Sequence, residues 1–314
     1  MDTKEKLLTD RVADWPALPL EAWKETYATL HMWTQIVGKV RLAQTPLVNH
    51  WWNVPLYVTA RGLTTSPIDC DTCNLEIRLD FIDHQLQIET GDNRRRTLPL
   101  RPQSVAHFYR EFMSAMASLG VQTKIWPMPV EISNPIRFDQ DTKHAAYDPK
   151  YAERFWRILA TAQPIFERFR SGFVGKCSPV HFFWGSFDLC VTRFSGRPAP
   201  ERTGADSVTR EAYSHEVISA GFWPGGGKMA GPAFYAYAAP EPKGFPEARV
   251  QPAAAFYDTE MKEFFLMYDD VRKAERPAET LMEFLQSTYD AGANLGHWNR
   301  KELEREPRSE ANVA

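Results

Sequence analysis

The chain has 314 residues, of which 43% are hydrophobic and 25% charged, with a formal net charge of -3. That length and balance suit a soluble protein of one or two globular units, and they remove any general electrostatic reason to expect nucleic acid or an anionic membrane as partner. The charged opening Met1 to Lys6 and the lack of a long uncharged apolar run argue against a secretory signal and a membrane span, so a cytoplasmic location is expected.

In chain order, residues 1–15 are polar and expected to be disordered. A mostly buried helix is expected from Leu20 to Arg41, because Trp23, Tyr27, Leu30, Trp33, Ile36, Val37 and Val40 cover more than one face. A strand from His50 to Arg61 follows, then a hairpin with arms Leu75 to Phe81 and Leu86 to Glu89. Arg101-Pro102 opens a helix that Gly120 closes. Thr123 to Ile132 reads as a strand that Pro127 and Pro129 confine to a sheet edge.

Asp148-Pro149 caps a second long helix, which Pro164 should kink. The next expected elements are a strand from His181 to Arg193, strands at Tyr213 to Trp223 and Ala233 to Ala239 around the glycine turn Gly225 to Gly227, and a hairpin at Ala253 to Tyr268. A last helix runs from Arg276-Pro277 to Gly296, and a charged tail over 301–314 is expected to be disordered.

This order repeats: helix, His-led strand, hairpin, Arg-Pro helix ending in Leu-Gly. Phe81-Ile82-Asp83 precedes Arg101-Pro102 by the same interval as Phe256-Tyr257-Asp258 precedes Arg276-Pro277. The expectation is an α+β fold, a mostly antiparallel sheet system flanked by helices, built from duplicated halves at 16–145 and 146–300. The second half carries an insertion at 194–252, whose long connections suggest that it controls ligand access.

The composition holds 10 Trp, 11 Tyr and 19 Phe, many of them beside polar residues, as in ligand pockets. On a strand alternate side chains share a face. Trp51, Asn53 and Tyr57 then join Trp184, Ser186, Asp188 and Thr192 in an aromatic, polar wall, with Trp223 from the neighbouring strand. His50 and His181 head the opposite faces. Each satisfies a loop carbonyl at a strand start, or both converge with His215 on a metal; no His-x-His or His-x-x-x-His spacing supports the second. Cys70-Asp71-Thr72-Cys73 lacks a second pair for zinc and reads as a loop coincidence.

Acid-base chemistry asks only for a His and a carboxylate within hydrogen-bond reach, so His215 or His181 is the candidate base and Asp188 or Glu216 its orienting carboxylate. Arg193, at a strand end, could hold an anionic group. The expected function is a small-molecule enzyme of this kind. A binding or sensing protein with the same pocket and no base is the alternative, and an interaction scaffold with exposed aromatics the third. No cofactor is expected, the partner is a small molecule, and neither a metal nor an oligomeric state is specified.

The phrases Leu30 to Lys39, Asn49 to Leu63, Cys177 to Leu189, Ser214 to Gly226 and Ala253 to Asp258 resemble those of a bacterial family catalogued as a domain of unknown function. The resemblance runs from about Trp15 to Trp298. It implies a single full-length module in a bacterial cytoplasm and no particular activity.

Overall fold

Helix α1 (Leu20–Gln44) is buried at every position from Thr29 to Val40 in the computed structural model, which describes residues 15–70 and 73–306. Its apolar residues face several directions at once, so it runs through the protein with packing on all sides. Trp33 stacks on Phe108 of α2 (Val105–Ser118), and Trp23 packs on Phe155 of α3 (Pro149–Ser171). Asp148 caps α3 by accepting from the Lys150 N–H, and the helix is continuous through Pro164.

Two six-stranded antiparallel sheets make the rest of the fold, which is α+β. The first contains β1 (Tyr57–Val58), β2 (Gly62–Thr64), β3 (Ile68–Cys70), β4 (Cys73–Asp80), β5 (Gln85–Thr90) and β6 (Arg95–Pro99). Its order is β1-β2-β4-β5-β6, with β3 also paired to β4. Leu75, Ile77 and Leu79 of β4 are buried while Glu76 and Arg78 alternate outward, the pattern of a sheet with one wet face.

The second contains β7 (His181–Phe183), β8 (Asp188–Pro198), β9 (His215–Trp223), β10 (Ala233–Ala239), β11 (Phe256–Asp258) and β12 (Glu263–Met267), in the order β11-β12-β10-β9-β8-β7. Helices α4 (Ser207–Ala212), α5 (Tyr268–Lys273), α6 (Pro277–Leu295) and α7 (Arg300–Leu303) complete the chain, with α6 against α3, β9 and β10. The sheets meet edge to edge at one antiparallel bridge, where Leu56 and Phe182 exchange two backbone hydrogen bonds of 2.9 Å.

Several sequence expectations need correction. His50 to Arg61 is not one strand: Asn49–Trp51 is a 3-10 turn in which His50 and Trp51 both have positive φ, and only Tyr57–Val58 is extended in the sheet. His181 to Arg193 is a hairpin, β7 and β8, joined through a turn at Trp184 to Phe187. Thr123 to Ile132 forms no strand, since Pro127 and Pro129 remove two ladder donors and no neighbouring strand is offered.

The two halves share a plan of long helix, six antiparallel strands and helix, but a residue-by-residue repeat is not confirmed. Phe81-Ile82-Asp83 runs into the β4–β5 turn, whereas Phe256-Tyr257-Asp258 is strand β11. The segment 194–252 supplies β9 and β10 at the centre of the second sheet. Of the tail 301–314, residues 301–303 belong to α7 and Glu304 bridges to Phe173; the disorder expected over 1–14 and 307–314 lies outside the described residues.

Candidate functional site

The central strands of the second sheet have two unlike faces. Leu189 and Val191 of β8 point with Phe222 and Phe234 into the apolar core. On the other face Asp188, Cys190, Thr192 and Phe194 form a row beside Val217 and Ser219 of β9 and Tyr235 and Tyr237 of β10. That face is the floor of a cavity of about 850 Å³. The volume falls within the few hundred to about 1,000 Å³ of small-molecule sites.

Helix α1 and the segment 121–131 build the facing wall. Gln35 clamps that segment by donating to the Val130 carbonyl and accepting from the Val130 N–H, both at 2.9 Å. His31 Nε2 bonds the carbonyls of Trp184 and Gly185 at 3.0 and 2.8 Å and so fixes the β7–β8 turn. Burial lowers the His31 pKa to about 4, so the ring is neutral at pH 7. Next on the same helix face come Gly38, against which the Trp184 ring packs, and Lys39, Leu42 and Ala43, which line the cavity.

The aromatic lining is held by hydrogen bonds. Trp184 Nε1 donates to the Val54 carbonyl at 2.8 Å, and the Tyr213 and Tyr237 hydroxyls pair at 3.0 Å. Trp51 and Trp52 enter from the 49–51 turn, whose left-handed residues aim the chain into the cavity; such strain in non-glycine residues collects at functional sites. Trp126, 64% exposed, stands at the mouth.

Asp188 is the chemical centre of the floor. Its carboxylate accepts from the Ser186 and Tyr235 hydroxyls. Tyr235 reaches it across Gly221, where a Cβ would lie 2.4 Å from the tyrosine hydroxyl. Burial raises the Asp188 pKa despite these two donors. Burial also raises that of Glu131, with a further push from the Asp188 charge. Burial, then Asp188 and Asp258, lift Glu263 of β12 to about 7. With its pKa at about 7, the Glu263 carboxyl group can donate as well as accept hydrogen bonds.

Of the residues singled out from sequence, His50, Trp51, Trp184 and Asp188 line this cavity. Ser186 and Thr192 line it too, whereas Asn53, Tyr57, Arg193, Trp223, His181, His215 and Glu216 do not. Asn53 is a buried brace, bonding Thr45 and the Val48 N–H, while Tyr57 packs between Arg41 and His181. Arg193 points to the opposite face of β8, lies on the Phe169 and Tyr289 rings and donates to the Phe169 carbonyl. Trp223 sits at the far end of β9, paired with Ala233.

Glu216 is occupied by Arg197 at 2.6 Å, outside the cavity. His215 meets the Ser214 hydroxyl at 3.1 Å, and that hydroxyl is 2.9 Å from the Glu211 carbonyl it donates to. His50, His181 and His215 do come into one neighbourhood, but the Trp52 ring touches both His50 and His181 and lies between them. His50 Nδ1 bonds the Glu211 carbonyl and Nε2 accepts from Lys176 at 2.6 Å, which leaves no nitrogen for a metal. Burial, with Arg41 and Arg170 nearby, lowers the His181 pKa to about 3. Among the described residues no three His, Cys, Asp or Glu side chains are placed to hold a metal ion.

A second groove, of about 690 Å³, lies at the end of α3 beside Arg170 and Cys177. Its rim includes Arg305 and Glu306, the last described residues, and its lining is mostly polar, with Glu167, Arg170 and Ser171. Reading the sequence missed Lys39, Glu131, Tyr235 and Tyr237. The spacing of His31, Gln35 and Lys39, polar residues at i, i+4 and i+8 in an apolar helix, was the available signal for the α1 wall.

The chain belongs to a family of unknown function, DUF5996, which matches residues 15–305. No curated protein and no solved structure matches it. No helix of the described residues is long and apolar enough to cross a membrane.

Proposed function

We propose that the protein binds a small organic molecule with an apolar, ring-bearing body in the cavity between α1 and the β8–β9–β10 floor. The observation that carries this reading is a cavity whose lining combines one buried, hydrogen-bonded carboxyl group, Asp188, with four tryptophans, Trp51, Trp52, Trp126 and Trp184. Aromatic walls supply contact area and the few polar groups set orientation, the usual division in such sites.

The histidine-based enzyme reading has less support. Among the described residues, the His–carboxylate pairs His144 with Asp141 and His107 with Glu111 do not line the cavity. The scaffold reading would place surplus aromatics outside, but among the described residues the exposed large aromatics are Trp126 and Phe256. A catalytic role keeps one specific observation in its favour: Asp188 and Glu131 face the same cavity with raised pKa values, as general acids do.

The test is titration with the neutral fluorophore N-phenyl-1-naphthylamine. Wild type is expected to bind it in saturable fashion and to enhance its emission. Thr192→Trp, which places an indole into the cavity from β8, is expected to weaken binding about tenfold, equivalent to about 1.4 kcal/mol. Equal binding by a folded Thr192→Trp variant would move the site elsewhere, and absence of saturable binding to wild type would remove the reading.

A further inference from the structure

Lys39 has no role in the fold that its burial explains. It lies on the cavity face of α1 and is 4% exposed, yet among the described residues no carboxylate stands within 4.0 Å of its ammonium. The groups nearest its charge are two indoles: Nζ is 5.0 Å from the Trp126 ring centroid and 5.7 Å from that of Trp184. Cation–π contacts offset only part of the cost of taking an ammonium out of water. Asp188 and Glu131 line the same cavity but do not pair with it.

We propose that Lys39 is the anchor for a single carboxylate on the ligand, whose ring-bearing body then extends between Trp184 and the Asp188 floor. This deepens the binding reading above and rests on it. Lys124, also in the lining, adds a second positive charge. A carboxylate fits better than a phosphate for two reasons: the lining contains no arginine fork to grip a dianion, and it already contains the carboxyl groups of Glu131 and Asp188. An arriving carboxylate would complete an ion pair shielded from solvent, where it is worth more than at the surface. Burial holds the Lys39 pKa down at about 8, so the amine is mostly charged at pH 7, and the aromatic faces favour that form.

The experiment compares 2-naphthoate with 2-naphthamide, matched in size and differing in the charge, as competitors of bound N-phenyl-1-naphthylamine. Wild type is expected to prefer the acid by about tenfold at pH 7, and the preference should fade as pH rises through 8 to 9. Lys39→Met, which keeps the length of the side chain and suits an aromatic wall, is expected to lose the preference, acid and amide then competing equally. Lys39→Arg should retain part of it. Equal binding of acid and amide by wild type, or a preference that survives in Lys39→Met, would overturn the assignment while leaving the cavity reading intact. If neither competitor nor the fluorophore binds wild type, both fall together.

Discussion

Wild type is expected to lose about 3 kcal/mol of stability relative to Glu263→Gln as pH rises from about 4.5 to above 7. The group lies on β12, and burial first, then the charges of Asp188 and Asp258, raise its folded-state pKa to about 7 from 4.5. Below pH 4.5 both folded and unfolded chains hold the proton, and the two proteins differ by a constant. Between 4.5 and 7 the unfolded chain releases it while the folded chain retains it, so unfolding of wild type is progressively favoured. Above 7 the difference levels off. Denaturant unfolding at a series of pH values measures it directly. Parallel curves for the two proteins would mean that Glu263 is solvated and that burial and the charges of Asp188 and Asp258 do not act on it.

Gly38→Ala is the second large effect, and its sign decides the matter. An alanine in a helix interior is ordinarily more stable than glycine by up to about 1 kcal/mol. Here a Cβ would lie 2.2 Å from Cδ1 and Nε1 of Trp184. The indole cannot swing away freely, because Nε1 is bonded to the Val54 carbonyl and the backbone of the same turn is bonded to His31. A contact this close puts the cost at the upper end of the range for overpacking, about 3 kcal/mol. The variant is therefore expected to be destabilised by about 2 kcal/mol net and to bind N-phenyl-1-naphthylamine more weakly, since Trp184 forms a cavity wall. An increase in stability would show that α1 and the β7–β8 turn do not meet as described.

Regular periodicity made part of this architecture readable from residues alone. The buried α1 helix, the Asp148-capped α3 and the alternation that sends Asp188 and Thr192 to one face of β8 all follow from local pattern. The placement of His50 and Trp51 does not, because two consecutive non-glycine residues in the left-handed region defeat any strand alternation drawn through them. The role of 121–131 was hidden by a strand-like composition whose prolines instead keep it as an irregular wall.

The partnership of Asp188 with Tyr235 depends on register across three strands and on Gly221 between them, which spacing along the chain does not encode. The strands β9 and β10 themselves were legible from their apolar runs around the glycine turn, but their central place in the sheet order was not, because strand order is set by long-range pairing.

A crystal structure of the protein saturated with 2-naphthoate tests the central claim most directly. The account predicts the ring system between Trp184 and the Asp188–Tyr235 floor, with its carboxylate about 3 Å from Lys39 Nζ. Naphthoate seated elsewhere, with the space between α1 and β8 closed by side chains, would contradict it.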